Sequence, residues 1–438
     1  MPFQIGVITE WGEVRYSRTR FKFYDVNKLN KDGTYGGDRY VFLLDIQVGR
    51  KPYQRIIFDL YIKILKELDS GKRYRDIRDM YKFAGISLMT ISNINRSVNI
   101  SEYNKQFQDT PCEKIKTDKE FIYLGLDDTY TNLFKAKKEL VKAMVRLAFL
   151  HTGIDWNKST VKRKFLENKR LLMFLKTDNS KDFTLKKFKE ILWKFINNNY
   201  DLTNKKLIVM GDGADWIKEL AKDFHSDYVL DEFHLMAKVH LCFNFRRLNK
   251  NSKRVLTEEE KQKKAIYQDL YAFVRKGNAQ SMIDYIRPLL RKNHQEQFPF
   301  LKDKKANINK LLCYIIKNKE GIENYRNEYY IGSQTESQIS HNVKALQSYG
   351  AKEYSEIVLR NMLCMRMAKV NGWDIIGLII NEHQQQVSDA VEYYRQNIWT
   401  EENIIKNEYE PKQGSVPILG WRNTGLTKMI RGILTKKN

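Results

Sequence analysis

Phe121-Ile122-Tyr123-Leu124-Gly125-Leu126-Asp127 is an apolar run of strand length that ends in an acid. A second run, Leu207-Ile208-Val209-Met210-Gly211, ends in Asp212 in the same way. A third acid, Glu336, follows much later within Gly332-Ser333-Gln334-Thr335-Glu336-Ser337. Carboxylates from two strand ends and one helix can hold a pair of Mg²⁺ ions, which clamp the attacking and leaving oxygens of a displacement at phosphorus. The three acids therefore predict a site for phosphoryl transfer.

Neighbouring apolar runs extend this pattern into a sheet. The predicted strands are 121–126, 140–150, 171–175, 207–210 and 228–230. An amphipathic helix precedes the fourth strand, and a helix over 216–224 precedes the fifth. Three strands followed by helix, strand, helix and strand is the order of a ribonuclease-H-like fold. We therefore predict an α/β chain whose mixed sheet carries carboxylates on its first and fourth strands.

The remaining segments differ in pattern, and a chain of 438 residues is long enough for two or three domains. Residues 13–18 and 40–44 flank a turn-rich loop over 27–38, which predicts a β-hairpin with a long loop. Residues 241–331 are charged and helical in pattern, so we expect an all-α insertion in the catalytic fold. The predicted regions are 1–50 (hairpin), 51–117 (helix-turn-helix-like), 118–240 (catalytic core, first part), 241–331 (insertion), 332–400 (last core helices with the third acid) and 401–438 (basic arm).

Two short helices separated by a glycine turn resemble a helix-turn-helix within the second region. Ser87 is a good N-cap for the second helix. That helix carries polar groups able to contact base edges or phosphate, namely Thr90, Asn93, Asn95 and Arg96. A helical hairpin that only packs against its neighbours fits the same pattern. The sequence leaves both interpretations open.

Each candidate acid also has a structural interpretation. Asp127 and Asp212 can be ordinary turn residues at strand ends. Glu336 shares a helical stripe with Ile339, Val343 and Leu346, where a carboxylate is costly unless it is paired, protonated or bound to metal. It can also complete a capping box at the start of its own helix.

Asp231 and His234, three residues apart after the fifth strand, lie on one helical face and can orient water or phosphate beside metal ions. A lone histidine is more often structural. A zinc site needs further His or Cys ligands, and none stands at suitable spacing.

Charge and composition indicate the partner. The chain has 77 Lys+Arg against 53 Asp+Glu, a net charge of +24, which favours a phosphate backbone as partner. Eleven Lys/Arg against three Asp/Glu in residues 133–170 predict a phosphate track, although a solvated face has the same composition. The track is formed by Lys162, Arg163, Lys164, Lys169 and Arg170.

The same composition bears on location. No apolar stretch approaches the about 20 residues that span a bilayer. No secretory signal is predicted at the start, and the four scattered cysteines indicate neither disulfides nor zinc. We expect a cytoplasmic, nucleoid-associated protein that does not enter membranes.

Four stretches resemble the DDE transposases of bacterial insertion sequences, nearest to the ISLre type related to Mutator-like enzymes. They contain Tyr40–Asp45, Tyr123–Asp128, Gly211–Lys218 with Asp231-Glu232-Phe233-His234-Leu235, and Thr335–His341. The pair Gly-Asp-Gly-Ala…Trp-Ile-Lys and Asp-x-Phe-His is the most specific of them.

The resemblance implies a ribonuclease-H-like core in which Asp127, Asp212 and Glu336 bind two Mg²⁺ ions, with Mn²⁺ as a possible substitute. It also implies that Asp231 and His234 form an accessory catalytic element. The expected activity is cleavage and strand transfer on double-stranded DNA, with terminal inverted repeats and target DNA as partners. Pairing of two ends suggests a homodimer or larger assembly. A ribonuclease-H-like nuclease or junction resolvase, and an inactive DNA-binding remnant, are the alternatives.

Overall fold

The computed structural model describes residues 3–23, 39–50, 54–110, 112–134, 140–160, 164–177, 184–245, 255–347 and 354–405. The chain separates into two compact units. One unit comprises Met1–Gly6, Arg15–Arg55 and Glu382–Asn438, and the other comprises Val7–Val14 and Ile56–Asn381. The predicted loop over 27–38 and the end of the basic arm beyond residue 405 lie outside the described residues.

The strands are short except for one central pair. In chain order they are β1 (Phe3–Thr9), β2 (Gly12–Arg18), β3 (Phe21–Phe23), β4 (Arg39–Val41), β5 (Phe121–Phe134), β6 (Leu140–His151), β7 (Gly153–Asp155), β8 (Phe165–Glu167), β9 (Arg170–Lys176), β10 (Lys206–Gly211) and β11 (Asp227–Leu230).

Helices fill most of the remaining described chain. They are α1 (Leu43–Gln47), α2 (Phe58–Asp69), α3 (Tyr74–Met80), α4 (Leu88–Ser97), α5 (Ile100–Asp109), α6 (Leu185–Asn199), α7 (Asp215–Asp223), α8 (Glu232–Cys242), α9 (Glu258–Arg275), α10 (Ala279–Leu289), α11 (Lys292–Gln297), α12 (Phe300–Lys317), α13 (Lys319–Glu323), α14 (Thr335–Ile339), α15 (Ala345–Gln347), α16 (Glu356–Asn371) and α17 (Ile375–Ile405). A π-helical turn over Ser340–Lys344 joins α14 to α15.

A five-stranded mixed sheet with the order β11-β10-β5-β6-β9 forms the centre of the larger unit. β5 pairs parallel with β10 and antiparallel with β6, β10 pairs parallel with β11, and β6 pairs antiparallel with β9. The five predicted strands and the mixed α/β class are confirmed. In the part of residues 241–331 that the structure describes, helices are present and no strand is, as the sequence predicts.

The position of Asp127 within its strand corrects one expectation. The sequence predicts that the strand ends there, but β5 continues to Phe134, and Asp127 pairs with Leu147 of β6. The reason is that β6 runs alongside β5 for its whole second half, whereas the parallel neighbour β10 stops at Gly211. Asp127 therefore lies just beyond the last parallel pair, in the middle of a strand.

Close packing of β5 against β6 depends on a glycine. Gly125 pairs with Phe149, and a Cβ atom at residue 125 would lie 2.1 Å from the Phe149 ring, which is fully buried. Residues Leu207, Ile208, Val209 and Met210 of β10 are also buried, as expected for a strand covered on both faces. The strands that carry the candidate acids are thus held rigidly.

Helix α16 joins the sheet to the helical region over α2–α5. At one end, the side chain of Asn371 accepts a hydrogen bond from the Leu171 N–H (2.7 Å) and donates one to the Leu171 carbonyl (2.8 Å), which completes the edge strand β9. Further along, Asn361 donates to the carbonyls of Asn95 and Val98 at the end of α4. α16 is apolar on several sides because it is packed from both directions.

The helical region has the predicted glycine turn between α3 and α4. Gly85 has a φ angle of +62°, in the left-handed region that glycine favours. The Ser87 hydroxyl accepts from the Thr90 N–H at 3.1 Å, so Ser87 is the N-cap of α4 as predicted.

The N-terminal hairpin differs from its prediction. β2 pairs with β1, β3 pairs with β4, and the predicted strand residues Leu43 and Leu44 belong to helix α1. A tight turn explains the first pairing, because the Thr9 hydroxyl bonds to the Gly12 carbonyl at 2.9 Å. Within the smaller unit, Asp45 of α1 binds Tyr16, Arg18 and Arg50, and these contacts favour a helix at this point.

We expect Asn371→Ala to lower the free energy of unfolding by about 2–4 kcal/mol, because two buried backbone groups of Leu171 lose their partner. Urea unfolding of the purified variant measures this loss. Asn197→Ala, which removes a surface amide bonded to the Trp193 carbonyl of α6, is the matched control and should change stability by less than about 0.5 kcal/mol. An equal loss of unfolding free energy in both variants would contradict the role of Asn371 in joining α16 to β9.

Candidate active site

The parallel pairing of β5, β10 and β11 stops at one level of the sheet, and an aspartate follows on each strand. The last residues in parallel pairs are Leu126 of β5, Gly211 of β10 and Leu230 of β11. The next residues are Asp127, Asp212 and Asp231. Adjacent strands lie about 4.8 Å apart, so this register brings the three acids to one edge of the parallel part of the sheet.

Asp127 is the most strongly perturbed acid of this group. Asp127 is only 6% exposed, and its Oδ1 accepts a hydrogen bond from the Asp128 N–H at 2.8 Å. The pKa of Asp127 is raised to about 7, chiefly by burial; the charge of His234 lowers it, and the charges of Asp212 and Asp231 raise it. The ionised form of Asp127 is therefore costly without a neighbouring cation.

Asp212 sits in a turn that leaves its carboxylate next to Asp127. Its Oδ1 accepts the Ala214 N–H at 3.0 Å, and its backbone carbonyl accepts the Tyr314 hydroxyl at 2.6 Å. Gly213 has a φ angle of +92° and packs closely against Asn318 of the segment after α12. The insertion thus braces the turn that carries the second acid.

Asp231 and His234 form a bonded pair at the start of α8. Asp231 is fully buried, its N–H donates to the Gly211 carbonyl at 2.7 Å, and its Oδ1 caps the helix through the Phe233 N–H. The His234 Nδ1 bonds to the Asp231 Oδ2 at 2.7 Å. That hydrogen bond, together with the charges of the nearby acids, raises the pKa of His234. The neighbouring acids therefore favour the protonated, cationic form of His234.

Glu336 is placed differently from the aspartates. Helix α14 packs against β5, and the stripe residues Ile339, Val343 and Leu346 are buried as predicted. The Glu336 carboxylate, however, bonds to Lys344 at 2.8 Å, across the π-helical turn. The capping-box alternative is not formed, because the N-cap residue of α14 is Gln334, whose side chain makes no capping hydrogen bond. Lys344 was not singled out by the sequence, since only the π-helical register brings it to Glu336.

The acidic side chains at this edge supply some, but not all, of the ligands that the predicted divalent-cation site needs. Within the residues that the structure describes, no three His, Cys, Asp or Glu side chains form a ready-made metal site. Asp127 and Asp212 supply adjacent oxygen ligands of the kind that Mg²⁺ prefers, and a cation there would relieve the cost of ionising Asp127. Glu336 would have to leave Lys344 to join them.

The opposite face of β5 carries a structural ion pair. Asp128 accepts two hydrogen bonds from the Arg146 guanidinium, both at 2.7 Å. Arg146 in turn lies over the Trp216 ring, 3.8 Å from its centroid. Adjacent acids in one strand therefore have separate roles, because successive side chains point to opposite faces.

The predicted DNA-reading helix α4 is confirmed as a helix, but not all of its polar residues face outward. Asn93 and Arg96 are exposed, and Thr90 is half-buried with its hydroxyl 3.0 Å from the Ser87 hydroxyl. The prediction for Asn95 is corrected: its side chain is fully buried and donates to the Tyr74 hydroxyl at 3.0 Å, so it cannot reach a base edge.

The predicted phosphate track is described only in part, since Lys162 and Arg163 lie outside the described residues. Lys164 bonds to the Ile331 carbonyl (3.4 Å) and Lys169 to the Gln338 side chain (3.1 Å), while Arg170 bonds to the Lys169 carbonyl. All three are half-buried. Lys164 and Lys169 thus bind the chain just before α14 and within α14, respectively.

No helix in the described part of the chain combines the length and the apolar character needed to cross a bilayer.

Residues 4–384 match the family described as "Uncharacterised protein family (UPF0236)", and the chain belongs to this family. A UPF0236 protein of Caldanaerobacter subterraneus subsp. tengcongensis is 25% identical over 377 residues, which cover 84% of this chain and 68% of the relative. A second from the same strain is 26% identical with the same coverage. A third is 25% identical and is covered over 64% of its length. Their names join four, eleven and two loci of one genome, so the family occurs there in many copies. No solved structure matches the chain.

We expect Asp127→Asn to flatten the pH dependence of stability. The folded-state pKa of Asp127 lies above the unfolded value, so the folded state binds more protons and stability falls as pH rises from about 4 to about 7. Removing the titrating group should abolish up to about 4 kcal/mol of this fall. Urea unfolding across the pH range measures it. Asp215→Asn, an exposed acid paired with Lys317, should retain the fall; an unchanged fall in Asp127→Asn would contradict the assignment.

Proposed function

We propose that this protein is the DDE transposase of a bacterial insertion sequence, of the ISLre type, with a ribonuclease-H-like core. The observation that carries the proposal is the alignment of Asp127, Asp212 and Asp231, each directly after the last parallel pair of its strand. Acids gathered at one sheet edge, two of them buried, on a protein of net charge +24, suit metal-assisted chemistry on a polyanion.

The strand order supports the fold part of the proposal. Numbered along the chain, the five strands of the sheet follow the order fifth, fourth, first, second, third, with the second antiparallel to its neighbours. This is the arrangement expected of a ribonuclease-H-like sheet, with one acid within its first strand and one directly after its fourth. The helices α9–α13 between the fifth strand and Glu336 correspond to the all-α insertion that the resemblance implies.

The copy number of the family supports the mobile-element part. A protein encoded at eleven loci of one genome, beside relatives at further loci, is typical of an element that copies itself. A cellular nuclease or resolvase usually needs one gene. This observation favours a transposase over the nuclease alternative, which shares the same acids.

The chain's own residues would position the reacting groups. Asp127 and Asp212 would hold Mg²⁺, or Mn²⁺ in its place, with Glu336 as the third ligand once it is released from Lys344. Bound there, the ions would supply charge neutralisation at the scissile phosphate and activation of a water or a 3′-hydroxyl. His234, oriented by Asp231, would donate a hydrogen bond to a phosphate oxygen or a water beside the carboxylates.

Recognition of DNA would use the helical region and the basic surface. Asn93 and Arg96 are the exposed polar residues of α4 that remain from the predicted set. They would contact the terminal inverted repeats, and Lys164, Lys169 and Arg170 would lie near the DNA backbone. Joining two ends to a target calls for a homodimer or a larger assembly on DNA in the nucleoid.

We expect Asp127→Asn, Asp212→Asn and Glu336→Gln each to lower Mg²⁺-dependent cleavage and strand transfer of an element-end DNA by at least about 100-fold, because each removes a ligand of the reacting centre. Purified protein, a labelled DNA carrying the repeats that flank the gene, and a gel assay for both products provide the measurement.

Glu356→Gln is the matched control for the third acid. Glu356 bonds to Arg360 and is about as exposed as Glu336, but it lies at the start of α16. Its activity should equal that of the wild type. Cleavage without strand transfer would favour the resolvase alternative, and DNA binding with full activity in all three acid variants would contradict the proposed site.

We expect Arg96→Ala to weaken binding to an element end and to reduce the slope of log affinity against log salt by about 1, because one phosphate contact is lost. Fluorescence anisotropy over a range of salt concentrations measures both. Arg78→Ala, an exposed residue of α3 paired with Asp79, is the control. An unchanged slope in Arg96→Ala would place the DNA contact elsewhere.

A further inference from the structure

A cavity of about 710 Å³ lies beside the acidic cluster. It is bounded by the first turns of α8, by one face of α9, by the segment Tyr330–Ser333 and by the turn after β7. The side chains that the argument uses are Trp156, Lys164, Phe233, Tyr271, Arg275 and Tyr330. Of these residues, Lys164 alone was predicted from the sequence as a nucleic-acid contact, and the cavity itself was not predicted.

This cavity shares a wall with the candidate active site. The Phe233 ring meets the His234 ring edge-on, with centroids 5.6 Å apart and planes at 90°. Glu232, which follows Asp231, also lines the cavity, and Ser333 lies three residues before Glu336. A strand of nucleic acid that placed a phosphate at the acids could therefore place an adjoining group in the cavity.

Aromatic faces are unusually open on this concave surface. Trp156 is 68% exposed, Phe233 is 52% exposed and Tyr271 is 41% exposed, although all three line the same cavity. Single exposed aromatics are common on protein surfaces, but several converging on one cavity indicate a binding site. Flat π-faces suit a flat aromatic ligand that stacks on them.

The charges around the rings suit an anionic ligand. Arg275 lies one turn beyond Tyr271 on the same face of α9, and Lys164 holds its Nζ 5.8 Å from the Trp156 centroid. The lining has one acid, Glu232, which accepts the Tyr330 hydroxyl at 2.8 Å, against the two cations, so the cavity has a net positive charge. Stacking faces beside cations are the combination that binds unpaired nucleotides.

We infer that this cavity receives one unpaired nucleobase of the DNA strand held at the acids. The base would stack on Trp156 and Tyr271, and its phosphate would lie near Lys164 and Arg275. The inference rests on the proposed function only because it takes DNA as the ligand. Such a base can come from a bulge or a frayed end, where an unpaired base costs little to withdraw.

The test compares two DNA duplexes of one sequence that differ by a single bulged adenine. Fluorescence anisotropy with the full-length protein, in EDTA so that no cleavage occurs, should show tighter binding of the bulged duplex. Trp156→Ala and Tyr271→Ala should each lower the affinity for the bulged duplex by about 5- to 150-fold and leave the paired duplex bound as before. Trp156→Phe, which keeps a stacking face, should retain most of the preference.

Trp11→Ala is the matched control, because Trp11 is 80% exposed in the turn between β1 and β2, and it should keep the wild-type preference. Absence of any preference in the wild type, or an unchanged preference in Trp156→Ala and Tyr271→Ala, would overturn the inference. A preference that persists in an Asp127→Asn protein without cleavage activity supports the cavity's role independently. Absence of cleavage and strand transfer in the wild-type protein, with the binding preference intact, would contradict the proposed function alone.

Discussion

The parallel register of β5, β10 and β11 is the constraint on which the candidate site depends. Because the parallel pairs of the three strands stop side by side, the acid that follows the last parallel pair on each strand lies at the same edge. Burial beside two other acids makes the ionised form of Asp127 unfavourable, and its pKa of about 7 expresses that cost. The charge of His234, which is bonded to Asp231, opposes this rise in pKa. A divalent cation bound here would stabilise the ionised carboxylates, so the site is suited to one.

The surrounding structure holds this edge rigid from several directions. Gly125 lets β6 pack closely on β5, and Tyr314 from the insertion fixes the turn that carries Asp212. Asn371 completes the outer edge strand and thereby ties α16 to the sheet. Lys344 acts against assembly of the three predicted ligands, because it pairs with the carboxylate of Glu336. Glu336 would therefore join the two aspartates only after its ion pair with Lys344 breaks. An exposed ion pair of this kind is weak in water.

Sequence patterns predicted the strands of the sheet and the helices between them, because buried strands and amphipathic helices leave clear periodicities. They also located Asp127, Asp212 and Asp231, since each acid closes an apolar run. Three features were beyond their reach. The extension of β5 past Asp127 depends on pairing with β6, and the burial of Asn95 depends on packing against α3 and α16. The partner of Glu336 depends on a π-helical turn, which has no recognised signature in a single sequence.

The most direct measurement of the central claim is a crystal structure of the protein grown with Mn²⁺, in which anomalous scattering locates the metal. We expect an anomalous peak in contact with the carboxylates of Asp127 and Asp212, and none in crystals of Asp127→Asn. A wild-type crystal that binds Mn²⁺ elsewhere, or leaves these two carboxylates without metal at saturating concentration, would contradict the account.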